Sequence, residues 1–129
     1  MVANHTDKAV FQGVYPIGNT NTHALPVKEL GPAIGYYTQV LGFSLVSKEA
    51  GKAVLRRDAA EIGLAVNSQD PEQASCYFAV SDVEAVWREL HARGIEPSAI
   101  ELSVHEGRAY RVFFAKEPYG VCFCFGQLA

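Results

Sequence analysis

The residues that could do chemistry in this chain of 129 are four histidines, three cysteines and fourteen acids. The thiols closest in sequence, Cys122 and Cys124, are separated by one residue, and a zinc knuckle would need a second Cys pair or a His pair nearby. On one strand their Cα atoms would stand roughly 6.5–7 Å apart, the outer limit for a disulfide. With Cys76 the count is odd, so no disulfide framework is implied and the thiols read as reduced and buried. A Cys nucleophile needs a base beside it, and no histidine is close in sequence to Cys122 or Cys124. His5, His23, His91 and His105 form no helical His-x-x-x-His pair. Gly42-Phe43-Ser44-Leu45-Val46 begins like a nucleophile elbow, yet it lacks the second glycine and follows a helix pattern where an elbow follows a strand. No glycine-rich phosphate loop is present.

The charge balance narrows the partners. Eleven basic residues against fourteen acidic ones give a formal charge of -3, and Arg56-Arg57 is the only adjacent basic pair. A nucleic-acid tract or polybasic membrane patch is not expected. No wholly apolar stretch exceeds five residues, Val121 to Phe125 for instance, against roughly 20 for a bilayer span. Met1 to Tyr15 carries Asn4, His5, Asp7 and Gln12 where a signal peptide needs a continuous apolar segment, so a cytoplasmic protein is expected. The length suits one domain.

The elements that must position these groups come as a repeat. Pro26-Val27-Lys28-Glu29-Leu30, then Ala33, Tyr37 and Leu41-Gly42, match Ala79-Val80-Ser81-Asp82-Val83, then Val86, Leu90 and Gly94. Each half runs from a β-like stretch through an acid at a helix start to an apolar pattern of helical period that stops at glycine. Glu29 and Asp82 read as first-turn or capping acids. Alternating segments follow: Phe43 to Ser47, Ala53 to Arg57 and Ile62 to Val66 in the first half, then a weakly patterned run near Ile100 to Val104, Tyr110 to Ala115 and Val121 to Phe125 in the second. The polar link Asn67 to Ala74 joins two β-α-β-β-β modules, about 19–68 and 73–127, within one domain over 19–129. Residues 1–18 read as an arm or an extra strand, because Val10 to Tyr15 is rich in β-prone residues.

Val27-Lys28-Glu29-Leu30 with Tyr36 to Phe43, Tyr77 to Val83, and Arg111 to Gly120 resemble the vicinal-oxygen-chelate superfamily of glyoxalase I, bleomycin-resistance proteins and extradiol dioxygenases. The last motif departs from the usual Asp-Pro-x-Gly-Asn, with Glu117 for Asp and Val121 for Asn. The resemblance implies an α+β fold: two βαβββ modules forming a curved sheet around a cavity, helices outside. It also implies a homodimer with cavities at or near the interface.

Metal-dependent members place four ligands at positions that map here to Thr22, Ser75, Cys124 and, near the end of the first module, Ala65. Two hydroxyls, a thiol and a methyl do not make a ligand set for Zn²⁺, Ni²⁺, Mn²⁺ or Fe²⁺, so no metal or other cofactor is expected. His23, one residue past the mapped position, would face the helix layer by strand alternation. The same alternation turns Thr22, Ala24 and Pro26, Ser75, Tyr77 and Ala79, and Cys122 and Cys124 toward the cavity, with Arg108 and Arg111 as polar anchors at its rim. Trp87 and the helical tyrosines Tyr36 and Tyr37 read as core. Small uncharged groups with a tyrosine suit a hydrophobic or aromatic small molecule. The expected function is therefore metal-independent binding of the bleomycin-resistance type, with toxin or antibiotic sequestration as its use. The rival is a glyoxalase-type lyase, isomerase or dioxygenase, whose divalent metal would need unorthodox ligands such as His23, Cys124 and Glu61.

Overall fold

The computed structural model describes residues 9–129; the first half of the expected arm, His5 included, lies outside the described residues. The elements are β1 (Phe11–Pro16), β2 (Leu25–Pro26), α1 (Leu30–Gln39), β3 (Ser44–Glu49), β4 (Lys52–Arg57), β5 (Ala60–Ala65), β6 (Ser75–Val80), α2 (Val83–Ala92), β7 (Glu101–His105), β8 (Arg108–Lys116) and β9 (Cys122–Leu128). β2 to β5 with α1 make one βαβββ module, and β6 to β9 with α2 make the other. Their sheets repeat one order, β2-β5-β4-β3 and β6-β9-β8-β7, with the first and last strand of each module parallel. The α+β class and the two-module plan are those expected from the repeat.

Local chemistry sets the helix ends. Asp82 accepts a hydrogen bond from the Ala85 N–H at 3.1 Å and caps α2. Glu29 holds the equivalent position before α1 but makes no side-chain cap, its carboxylate being one methylene farther from the backbone it would have to reach. Gly42 and Gly94 follow the helices at φ 78° and 94°, a region glycine enters without a Cβ clash.

The core lies between the sheets and the helices. Alternation in β6 sends Cys76, Phe78 and Val80 to it, and β8 and β9 add Phe113, Phe123 and Phe125. Phe78 and Phe113 stack on Phe125 at 5.4 and 4.9 Å between centroids. α2 packs on β8 and β9, and α1 on β3 and β4.

β1 pairs antiparallel with β6, with Tyr15 opposite Tyr77, and makes the second sheet five-stranded. It is also tied to the first module: the Phe11 N–H donates to Asp58 Oδ2 at 2.8 Å, and the Ala59 N–H donates to the Phe11 carbonyl at 2.9 Å. The Phe11 ring is buried against Phe43 of one module and Phe78 of the other.

One expectation needs correction. Alternation does not run back from Pro26 through Thr22, because Asn21 starts a turn: its carbonyl accepts from the Ala24 N–H at 3.0 Å and its side chain from the His23 N–H at 2.9 Å. Only Leu25–Pro26 is strand, Thr22 is buried, and His23 is exposed instead of facing the helix layer.

Candidate ligand-binding cavity

The side of the five-stranded sheet away from α2 is concave, and the register explains why. One row across it reads Tyr15, Tyr77, Cys124, Phe114, each paired with the next; beside it lie Ala79, Gly126 and Val112. Tyr15 and Phe114 stand at the ends of the row, and between them Ala79, Cys124 and Gly126 are small and the Tyr77 ring lies flat, which leaves a cavity of about 780 Å³. Gly126 is required at the floor. A Cβ there would lie 2.5 Å from the Tyr77 hydroxyl and 2.9 Å from Val112 Cγ1, so glycine lets the tyrosine ring lie across the sheet. Tyr110 closes the wall toward β7, opposite Ser103.

The floor stays neutral near pH 7. Burial, then the neighbouring Cys124, Tyr110 and Tyr15, push the Tyr77 phenol up to about 12. Burial, then Cys122, raises the Cys124 thiol to about 11; Cys122 is raised by burial against a smaller opposing pull from Lys116. Cys76, behind the sheet, is raised to about 12 by burial with both other thiols adding. Protonated thiols are poor nucleophiles and poor metal ligands.

A second depression, about 710 Å³, lies between the Ile17 to Asn21 segment and the Asp70 to Ser75 link, and Ala24, Pro26 and Ser75 line it. Two of its polar groups are committed to backbone: Thr20 Oγ1 accepts from the Ser75 N–H at 3.0 Å, and Asp70 Oδ1 from the Glu72 N–H at 3.0 Å. The larger cavity is the candidate site.

The structure thus brings Tyr77, Cys124 and Arg108 to one cavity, and Ala24 and Ser75 to the other. Thr22 and Cys122 line neither. Arg111, expected at the rim, points away: Arg108, Tyr110, Val112 and Phe114 share the cavity face by strand parity, and Arg111 on the opposite face donates to Glu84 of α2 at 2.6 Å. Trp87 donates its indole N–H to the Ser98 carbonyl at 2.8 Å and stacks on His91, clasping the loop after α2. The walls formed by Tyr15, Tyr110 and Phe114 were not read from the sequence, although the same period of two, carried from β6 into β1 and β8, would have found them.

The metal that the fold family implies does not fit these residues. Ser75 and Cys124, two of the mapped positions, face different depressions; the others are the Thr22 hydroxyl and the Ala65 methyl. Among the described residues no three His, Cys, Asp or Glu side chains gather in a ligating group, the set His23, Cys124 and Glu61 included. Glu61 instead pairs with Arg56.

The buried carboxylate is elsewhere. Glu117, 3% exposed, takes the Tyr119 and Val121 N–H groups on Oε1 at 2.8 and 2.9 Å and the Tyr37 hydroxyl on Oε2 at 3.2 Å. It braces the turn between β8 and β9 against α1, and this is a structural use of an acid.

Comparison with known proteins agrees with this geometry. A sequence model of the Glyoxalase/Bleomycin resistance protein/Dioxygenase superfamily matches residues 19–125. The fold is similar to the bleomycin resistance determinant encoded on transposon Tn5, at 21% identity, TM-score 0.71, over 86% of this chain and 98% of that one. It is similar also to the bleomycin-binding protein of Streptomyces verticillus, solved with copper(II)-bleomycin, at 18% identity, TM-score 0.66, over 84% and 95%. It is similar as well to the virulence protein STM3117 from Salmonella typhimurium, at 22% identity, TM-score 0.70, over 88% of this chain and 98% of that one. No curated protein sequence matches the chain. With two βαβββ modules and a family match over most of its length, the chain belongs to the Glyoxalase/Bleomycin resistance protein/Dioxygenase superfamily.

Proposed function

We propose that this protein binds a hydrophobic or aromatic small molecule without a metal, in the manner of the bleomycin-resistance branch of its superfamily, and sequesters a toxic compound. The observation that carries the reading is the cavity itself: aromatic walls around a floor of Ala79, Cys124 and Gly126, with no Asp or Glu among the described residues that line it. Structural neighbours solved with bleomycin support it. The working form is a homodimer. Tyr15, Ile17, Phe114 and Leu128 border the cavity and are 42–55% exposed, and a second copy would cover this apolar rim and close the open side.

A thermal-shift screen on chelator-treated protein tests this, using uncharged and charged aromatic compounds and copper(II)-bleomycin. Saturable stabilisation by at least one of them, with a sedimentation mass of two chains, is the expected result. Retention of about one divalent ion per chain together with metal-dependent turnover would overturn it.

A further inference from the structure

The chain as a whole is acidic, yet its cavity is not. Fourteen Asp and Glu are present, and among the described residues none lines the large cavity; the basic side chains that do are Arg108 and His105. The tight turn Glu106-Gly107, with φ 52° and 79°, sets these two directly opposite one another at the turn end of the β7–β8 hairpin. Arg57 and Arg93 engage Glu89, Arg56 engages Glu61 and Arg111 engages Glu84. Among the described residues Arg108 has no such carboxylate, and Arg88, the other arginine without one, is on the exposed face of α2. Glu106, at the tip of the turn, is 3.5 Å from His105 Nε2 and does not line the cavity.

We propose that the ligand is an aromatic acid: a ring system seated over the Ala79, Cys124 and Gly126 floor, with one anionic group held by Arg108. This rests on the binding-protein reading and deepens it. The unpaired guanidinium offers a planar fork of donors that matches a carboxylate, sulfonate or phosphate. The rest of the lining carries no carboxylate, the nearest being Glu106 outside it at the tip of the turn, so an anion inside meets Arg108 and no lining acid, whereas a cationic ligand would meet Arg108 with no counter-charge among the lining residues.

Two dyes of similar shape test the proposal: anilinonaphthalene sulfonate, an anion, and phenylnaphthylamine, its neutral counterpart, each titrated by fluorescence into the full chain. The anion should bind about fivefold more tightly than the neutral dye, and raised salt should weaken only the anion. Arg108→Gln should bring the two affinities together without changing the neutral dye's, and R108E should push the anion below it. Position 108 is exposed at a strand start, so these variants keep the fold. If both dyes bind but the anion gains nothing, or Arg108→Gln leaves it unchanged, the anion assignment falls while the apolar cavity stands. If neither dye binds, the binding-protein reading falls with it.

Discussion

At the scale of single residues, Glu117 shows how the family turn tolerates its departure from aspartate. Both N–H donors of the turn converge on Oε1, and Oε2 faces only the Tyr37 hydroxyl. Glu117→Gln can therefore keep its carbonyl for the backbone and offer its amide to the phenol. Glu117→Ala leaves buried polar groups unpaired and should cost about 2–3 kcal/mol by urea unfolding, with the glutamine variant much closer to the parent. Burial raises the Glu117 pKa although its hydrogen bonds pull it down. A carboxyl with a higher pKa folded than unfolded takes up a proton on folding. Its contribution should therefore fall as pH rises from the ordinary carboxylate range through the raised value, and stay level above it. Glu117→Gln should remove that slope, which unfolding curves across the window would show.

At the scale of elements, two glycines in strands do different work. Gly63 in β5 lies under the Asn21 to His23 turn, and a Cβ there would approach the His23 carbonyl oxygen to 2.0 Å. Backbone cannot swing aside, so Gly63→Ala should destabilise the fold by about 2–3 kcal/mol. At Gly126 the obstacles are side-chain atoms, the far end of Tyr77 and Val112 Cγ1, and no backbone. Gly126→Ala should cost less stability than Gly63→Ala while pushing the Tyr77 ring into the cavity and weakening dye binding, so melts and titrations on the two variants would separate the roles. The sequence showed the second module's strands well because Tyr77, Phe78, Ala79, Val80 and Cys122 to Phe125 alternate without interruption. It did not show the fate of Thr22 and His23, because an Asn-led turn competes with the strand and nothing in a period of two signals where alternation stops. Arg108 and Arg111 looked alike as rim anchors; three positions apart on a strand, they must face opposite sides.

At the scale of the whole molecule, the modules are joined by β1 and by a charged clasp. Arg57 on β4 donates twice to Glu89 on α2, at 2.7 and 2.9 Å, donates again to the Leu41 carbonyl at 2.8 Å, and lies 4.3 Å over the Phe11 ring. Arg93 adds a contact to Glu89 at 3.0 Å and to the Val40 carbonyl at 2.8 Å. With the Arg57 and Glu89 side chains 9% and 17% exposed, Arg57→Ala removes both bonds to Glu89, the bond to the Leu41 carbonyl and the contact over the Phe11 ring, and should cost about 2–3 kcal/mol in urea melts, more than a surface ion pair would. The repeat made the two-module plan legible. This clasp was not, since Arg57 and Glu89 are 32 residues apart, on different modules, and meet only in the folded chain. The central claim is that the cavity takes an apolar ligand with no metal, and titration of phenylnaphthylamine into chelator-treated protein, beside Ala79→Trp, tests it most directly. Saturable binding in the parent that the tryptophan abolishes is the expected result; binding that appears only when a divalent ion is restored would contradict the account.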